Sequence, residues 1–304
     1  MSRPALHPRD LLPLSRESTS RLAHAAPTSE REVLLAAADL IEAGEPFVLI
    51  TVIRAQGSTP RNAGAKMIWR PQGGANTPNS AHGTVGGGQF EHLVLDAAQA
   101  CFDKQEHRYE KFVLGADADQ CCGGVMEVFL EYHARPRRIV IFGAGHVAHA
   151  LVPMLAPVGL DVVIVDDRSD WASRERYPAA RCINAWDAGI ALAREHPTNT
   201  LAVVMTCSHD TDFDLLRRLL VPAQQTSAPP SFIGLIGSRS KRVCLFGRLV
   251  ASGLDETLVQ SIHCPIGVGN TGKEPHAVAV SIAAQLLMVA RSSPKGEECS
   301  SRKR

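Results

Sequence analysis

The chain has 304 residues, a net charge of +1, 45% hydrophobic residues and 21% charged ones. These values sit near the globular average and exclude wholesale disorder, while the near-neutral charge argues against nucleic acid, which needs a basic footprint. No apolar run reaches the ~18–20 residues of a bilayer crossing, so no membrane association is expected, and the length suits two domains with sizeable cores.

Residues 1–28 mix arginines with acids and have no apolar stretch behind them, which reads as a disordered tail and not a secretory signal. Eight cysteines in a long chain without an export signal suit reduced thiols in the cytoplasm. An N-terminal domain of mixed α+β type is expected over 29–133. Ser29 and Glu32 make a capping box, Val33, Ala37, Leu40 and Ile41 a helical stripe, and Gly44 a stop. Phe47–Arg54 and Lys66–Trp69 read as strands, with turn material at 56–64 and a loop from Pro71 to Ala81. Thr84–Gly88 reads as a short strand running into a glycine-rich turn, Phe90–Cys101 as a helix, and Tyr109–Leu114 and Val125–Tyr132 as strands.

A polar, Pro-containing linker at 133–138 precedes a change of pattern. Arg138–Phe142, Val162–Val165, Leu201–Met205 and Phe232–Ile236 are continuous apolar runs, as parallel strands buried on both faces require. Helical stretches alternate with them, and Glu274–Ala290 closes the pattern. Residues 138–290 therefore read as a Rossmann-like, doubly wound parallel-sheet domain, followed by a disordered tail at 291–304.

Four groups of residues are candidates for a bound cofactor. Gly143-Ala144-Gly145-His146-Val147-Ala148 follows a strand and opens a helix. Gly143 serves the tight turn, Gly145 the approach of a phosphate, Ala148 the close helix packing, and Asp166 at the end of the next strand the ribose hydroxyls. The turn suits a nucleotide, and a scaffold for another ligand is the alternative. His146, His209, Ser238 and Arg239 fall at the carboxyl edge of the sheet. They suit an anion or pterin pocket better than a metal set of His146, Cys207 and His209. Gly86, Gly87 and Gly88 with Glu91 form a second glycine-rich turn, either an anion site or a plain helix start with a favourable acid. Cys121 and Cys122, followed by two glycines, offer a thiolate for sulfur handling or cofactor binding; one buried Cys in a tight turn is the alternative. Arg239, Lys241 and Arg242 make a basic cluster suited to a phosphate-bearing ligand, with a solvated helix face as the alternative.

Taken together, the motifs resemble the bacterial xanthine dehydrogenase accessory protein family of molybdenum-cofactor chaperones. The carrying segments are 54–64, 83–88, Gln120-Cys121-Cys122-Gly123-Gly124, Phe142–Val147, Met205-Thr206 with His209 and Asp212, 233–242, Cys264-Pro265-Ile266-Gly267 and Gly272-Lys273-Glu274-Pro275. The resemblance spans about residues 30–290 and departs at Cys207, where the family has His. It implies a cytoplasmic, non-enzymatic homodimer that binds molybdenum cofactor (molybdopterin). It also implies sulfuration of the cofactor with a cysteine desulfurase and transfer to the molybdenum subunit of xanthine dehydrogenase. The rival readings are an NAD(P)-dependent oxidoreductase, with His209 as its acid/base, and a non-catalytic docking module.

Overall fold

The computed structural model describes residues 29–71, 80–114, 124–221 and 228–291, which divide into one unit ending at Arg135 and another beginning at Pro136.

The first unit opens with α1 (Glu30–Ala43). The Ser29 hydroxyl accepts from the Glu32 amide while Glu32 accepts from the Ser29 amide, a complete capping box, and Gly44 ends the helix in the left-handed region. Strands β1 (Phe47–Gln56), β2 (Lys66–Arg70) and β3 (Ser80–Gly83) follow, then α2 (Gly88–Lys104), β4 (Arg108–Val113) and β5 (Val125–His133). They form an antiparallel sheet in the order β3-β2-β1-β5-β4. The two-residue period of β1 divides its side chains between two cores. Val48, Ile50 and Val52 face α2 with Phe90, Val94 and Ala98, whereas Phe47 joins Val33, Ala37 and Leu40 of α1.

One expectation changes here. The strand before α2 is Ser80–Gly83, not Thr84–Gly88. Gly86, Gly87 and Gly88 all have positive φ, so the chain turns where a strand would have continued. The short β3, lacking any β-branched residue, gave no strand signal.

The second unit contains β6 (Arg138–Phe142), α3 (His146–Leu155), β7 (Asp161–Val165), β8 (Arg181–Ile183), α4 (Trp186–Glu195), β9 (Thr200–Val204), α5 (His209–Leu220), β10 (Phe232–Leu235), α6 (Arg239–Ala251), α7 (Glu256–Gln260) and α8 (Pro275–Arg291). Its sheet is parallel throughout, in the order β10-β9-β6-β7-β8. Ile139, Ile141, Val162 and Ile164 pack with α3 and α8 on one face; Val140, Phe142, Val163 and Val165 pack with α4, α5 and α6 on the other. Burial on both faces explains the unbroken apolar runs. The strand order reverses between β6 and β9, so the crevice for a ligand lies outside their carboxyl ends. No helix among the described residues is long and apolar enough to cross a membrane.

Candidate functional site

Gly143 and Gly145 do different jobs in the turn after β6. Gly143 has φ +111°, and a Cβ there would lie 2.5 Å from the Met205 carbonyl oxygen. It is needed because the turn passes directly beside the end of β9. Gly145 has an ordinary φ of −75°, and a Cβ there would meet nothing within 4 Å. Its bareness leaves open space in front of α3. Ala148 is fully buried, as close packing of the helix demands.

Two side chains hold this turn in place. The Tyr177 hydroxyl, 1% exposed, donates to the carbonyls of Ala144 (2.8 Å) and Gly145 (3.3 Å). In a trans peptide the N–H points opposite to the C=O. With both carbonyls turned toward Tyr177, the amides of Gly145 and His146 face away from it. No side chain caps α3. The Ala144 amide is instead bound by Asp166 Oδ2 at 2.8 Å. The result is a braced turn whose Gly145 and His146 amides have no acceptor among the described residues, at a helix N-terminus, an arrangement suited to an anion.

Asp166, at the end of β7, is tied into the turn. It is 1% exposed, and both oxygens are engaged. Oδ1 accepts from the Arg168 amide (3.1 Å) and Nε (2.8 Å), and Oδ2 accepts from Arg168 Nη2 (2.7 Å) as well as Ala144. Burial opposes its charge, yet the Arg168 and Ala144 hydrogen bonds hold its pKa below the ordinary value. The carboxylate therefore braces the turn, and a ribose hydroxyl reaching for it would compete with four donors.

The second glycine-rich turn is filled by its own acid. Glu91 Oε2 accepts from the Thr84 hydroxyl (2.5 Å) and from the amides of Gly87 (3.0 Å) and Val85 (3.3 Å), while the Gly86 amide donates to Thr84 Oγ1 (3.2 Å). The Val85 and Gly87 amides thus take the protein's own carboxylate as their anion.

Cys207, after the end of β9, is exposed. Ser208 caps α5, leaving His209 exposed at its first turn. Ser238 likewise caps α6, so its hydroxyl is occupied by the Lys241 amide. The basic cluster after β10 separates. Lys241 pairs with Asp212, and Arg242 donates to the Cys264 carbonyl and Gln260, leaving Arg239 exposed and without an ion pair among the described residues. An open cleft of about 450 Å³, lined by His209, Ser238, Lys241, Cys244 and Arg248, lies between the β9 and β10 loops, one strand over from the switch point. The switch point itself carries the Gly145 and His146 amides, for which no acceptor is found among the described residues.

His146 is exposed, its ring edge-on to Trp171 at 5.8 Å. Among the described residues, no group of three or more His, Cys, Asp or Glu side chains gathers to hold a metal, the set His146, Cys207 and His209 included. Burial pushes the thiols of Cys101, Cys182 and Cys264 up, so these stay protonated. Cys121 and Cys122 lie outside the described residues. Tyr177, Arg168, Trp171 and Arg176 were not legible as site residues. They come from the irregular β7–β8 connection, which carries no motif.

Two family models match the chain, that of the XdhC Rossmann domain over residues 139–286 and that of the XdhC and CoxI family over residues 40–113. The chain belongs to the XdhC and CoxI family. As an XdhC-family chain it is 29% identical over 267 residues to YqeB of Escherichia coli (strain K12), a protein described as uncharacterized. That match takes in 86% of this chain and 46% of YqeB, so the chain spans about half the length of the curated relative it matches. It is also similar to a Bacillus halodurans crystal structure described as a xanthine dehydrogenase, at 20% identity and a TM-score of 0.43, covering 84% of this chain and 97% of that one.

Proposed function

We propose that this XdhC-family chain is a maturation factor for xanthine dehydrogenase. In this reading it binds molybdenum cofactor as cargo, promotes its sulfuration with a cysteine desulfurase and delivers it to the molybdenum subunit of the apo-enzyme in the cytoplasm. The observation that carries the reading is the match of both units to the XdhC family.

The donor set at the switch point fits such a cargo. Molybdopterin ends in a phosphate, which the Gly145 and His146 amides suit by charge and direction. Its metal already carries sulfur ligands from the dithiolene, and the exposed Cys207 thiol would supply a further sulfur. The Cys121–Cys122 pair is a second source of thiolate, from sequence alone. Nothing in this role requires the chain to turn over a substrate.

The test is deletion of the gene in its host. The account expects xanthine dehydrogenase to accumulate folded but inactive, with activity restored by the wild-type chain. Full activity in the deletion strain would contradict the reading. A Cys121→Ala/Cys122→Ala variant divides the two steps. Lost molybdenum assigns the pair to binding, and retained molybdenum with poor activation assigns it to sulfur transfer. Full activation by the variant would assign the pair to structure alone.

A further inference from the structure

We propose that the β7–β8 connection carries a clasp for a phosphomonoester, formed by Arg168 and Arg176 around Trp171. Both guanidinium carbons lie over the Trp171 ring, Arg168 at 4.5 Å and Arg176 at 4.7 Å from its centre. Two like charges are thereby gathered on one aromatic side chain, each attracted by the ring and repelled by the other. Arg168 is fixed further by its two-pronged bond to Asp166, which leaves Nη1 without an acceptor among the described residues. Arg176 has no carboxylate partner among the described residues, and its Nε is buried without a hydrogen bond. The acids of this segment, Asp167, Asp170 and Glu175, are exposed and form no ion pair with either arginine among the described residues.

The placement identifies the ligand chemistry. The cluster follows the second strand of a parallel sheet, beside the glycine turn, and His146 of that turn touches Trp171. At this place in dinucleotide folds, an acid meets a ribose hydroxyl or an arginine meets a phosphate. Here the acid, Asp166, already accepts four hydrogen bonds, and the donors that remain are guanidinium groups. A phosphomonoester carries nearly two negative charges at neutral pH and three acceptor oxygens, which match the guanidinium fork. Two ligands present such a group here: a nucleotide with a ribose 2′-phosphate, or a pterin whose side chain ends in phosphate, in which case the guanidinium groups and the amides of the adjoining turn share that one phosphate. The pterin source rests on the cargo proposed above; the clasp itself does not.

Calorimetric titration of the full chain with two matched pairs tests this. The pairs are NADP⁺ against NAD⁺, and 6-hydroxymethylpterin phosphate against 6-hydroxymethylpterin. In at least one pair the phosphorylated member should bind at least tenfold tighter, and Arg168→Gln/Arg176→Gln should abolish the difference. If the double variant melts early, Arg176→Gln alone serves, since that side chain has no ion pair to lose, and should cut the preference at least threefold. A preference only in the nucleotide pair supports the clasp and assigns it to a nucleotide; a preference in the pterin pair supports it and assigns it to the cargo. Equal binding within both pairs, or a preference that survives the substitutions, overturns the clasp. Because the molybdenum content of the purified protein is measured separately, failure of the clasp and failure of the cargo reading are distinguishable.

Discussion

The two glycines of the β6–α3 turn make opposite predictions. Val at position 143 meets both a positive φ and the Met205 carbonyl at 2.5 Å, so Gly143→Val should cost about 3 kcal/mol or more of stability. Val at position 145 enters open space with an extended backbone. Gly145→Val should melt within about 1 kcal/mol of wild type yet bind phosphate-bearing ligands at least tenfold more weakly. Melting curves beside titrations decide the matter, and unchanged affinity in a folded Gly145→Val would show that the turn is scaffold only. Asp166 makes a pH prediction. Its carboxyl is held below the ordinary value by Arg168 and Ala144 against the cost of burial. Such a group stabilises the fold fully above its unfolded pKa of about 4, and that contribution is lost as pH falls through the lower folded value. Asp166→Asn should therefore be less stable than wild type by about 2–3 kcal/mol at pH 7, with the gap closing under acid. Urea titrations at pH 7 and pH 3 check this, and a constant gap would contradict it.

Between elements, the buried Asp212 joins the β9 loop to α6. It accepts from the Thr206 hydroxyl at 2.7 Å and pairs with Lys241 at 2.6 Å, with 0% and 11% of the two charged side chains exposed. Asp212→Ala leaves a nearly buried ammonium without its partner and should cost about 3–5 kcal/mol. The double variant Asp212→Leu/Lys241→Met should recover most of that, because no charge is then left unpaired. A denaturation cycle measures the coupling, and additive losses would refute it. How far elements were legible follows from how local their causes are. The Ser29–Glu32 box, the stop at Gly44 and the doubly buried runs of β6, β7 and β9 are written in neighbouring residues. By contrast, β3 and β8 span only four and three residues and are held by pairing to distant strands, which no local pattern encodes. The site divides the same way. Gly143, Gly145 and Ala148 announce themselves by spacing. That Glu91 fills the second turn, that Arg168 occupies Asp166, and that Tyr177 reaches Ala144 depend on where side chains arrive after folding.

At the scale of the whole molecule, an antiparallel unit and a parallel unit are joined in a chain whose two halves each match the XdhC family. In the first unit, Glu91 accepts from the Val85 and Gly87 amides and Thr84 from the Gly86 amide, so that turn is held largely by its own side chains. The proposed reading puts phosphate recognition in the second unit, at the reversal of strand order between β6 and β9. Among the described thiols, burial holds Cys101, Cys182 and Cys264 protonated, whereas Cys207 stands exposed after β9. The claim on which the rest depends is that this crevice carries molybdenum cofactor. The direct measurement is molybdenum and pterin content of the full chain purified from molybdenum-replete cells, beside Gly145→Val purified in the same way. The account predicts molybdenum and pterin together, approaching one of each per chain, and a clear loss of both in the folded variant. Wild-type protein free of molybdenum and pterin would contradict it.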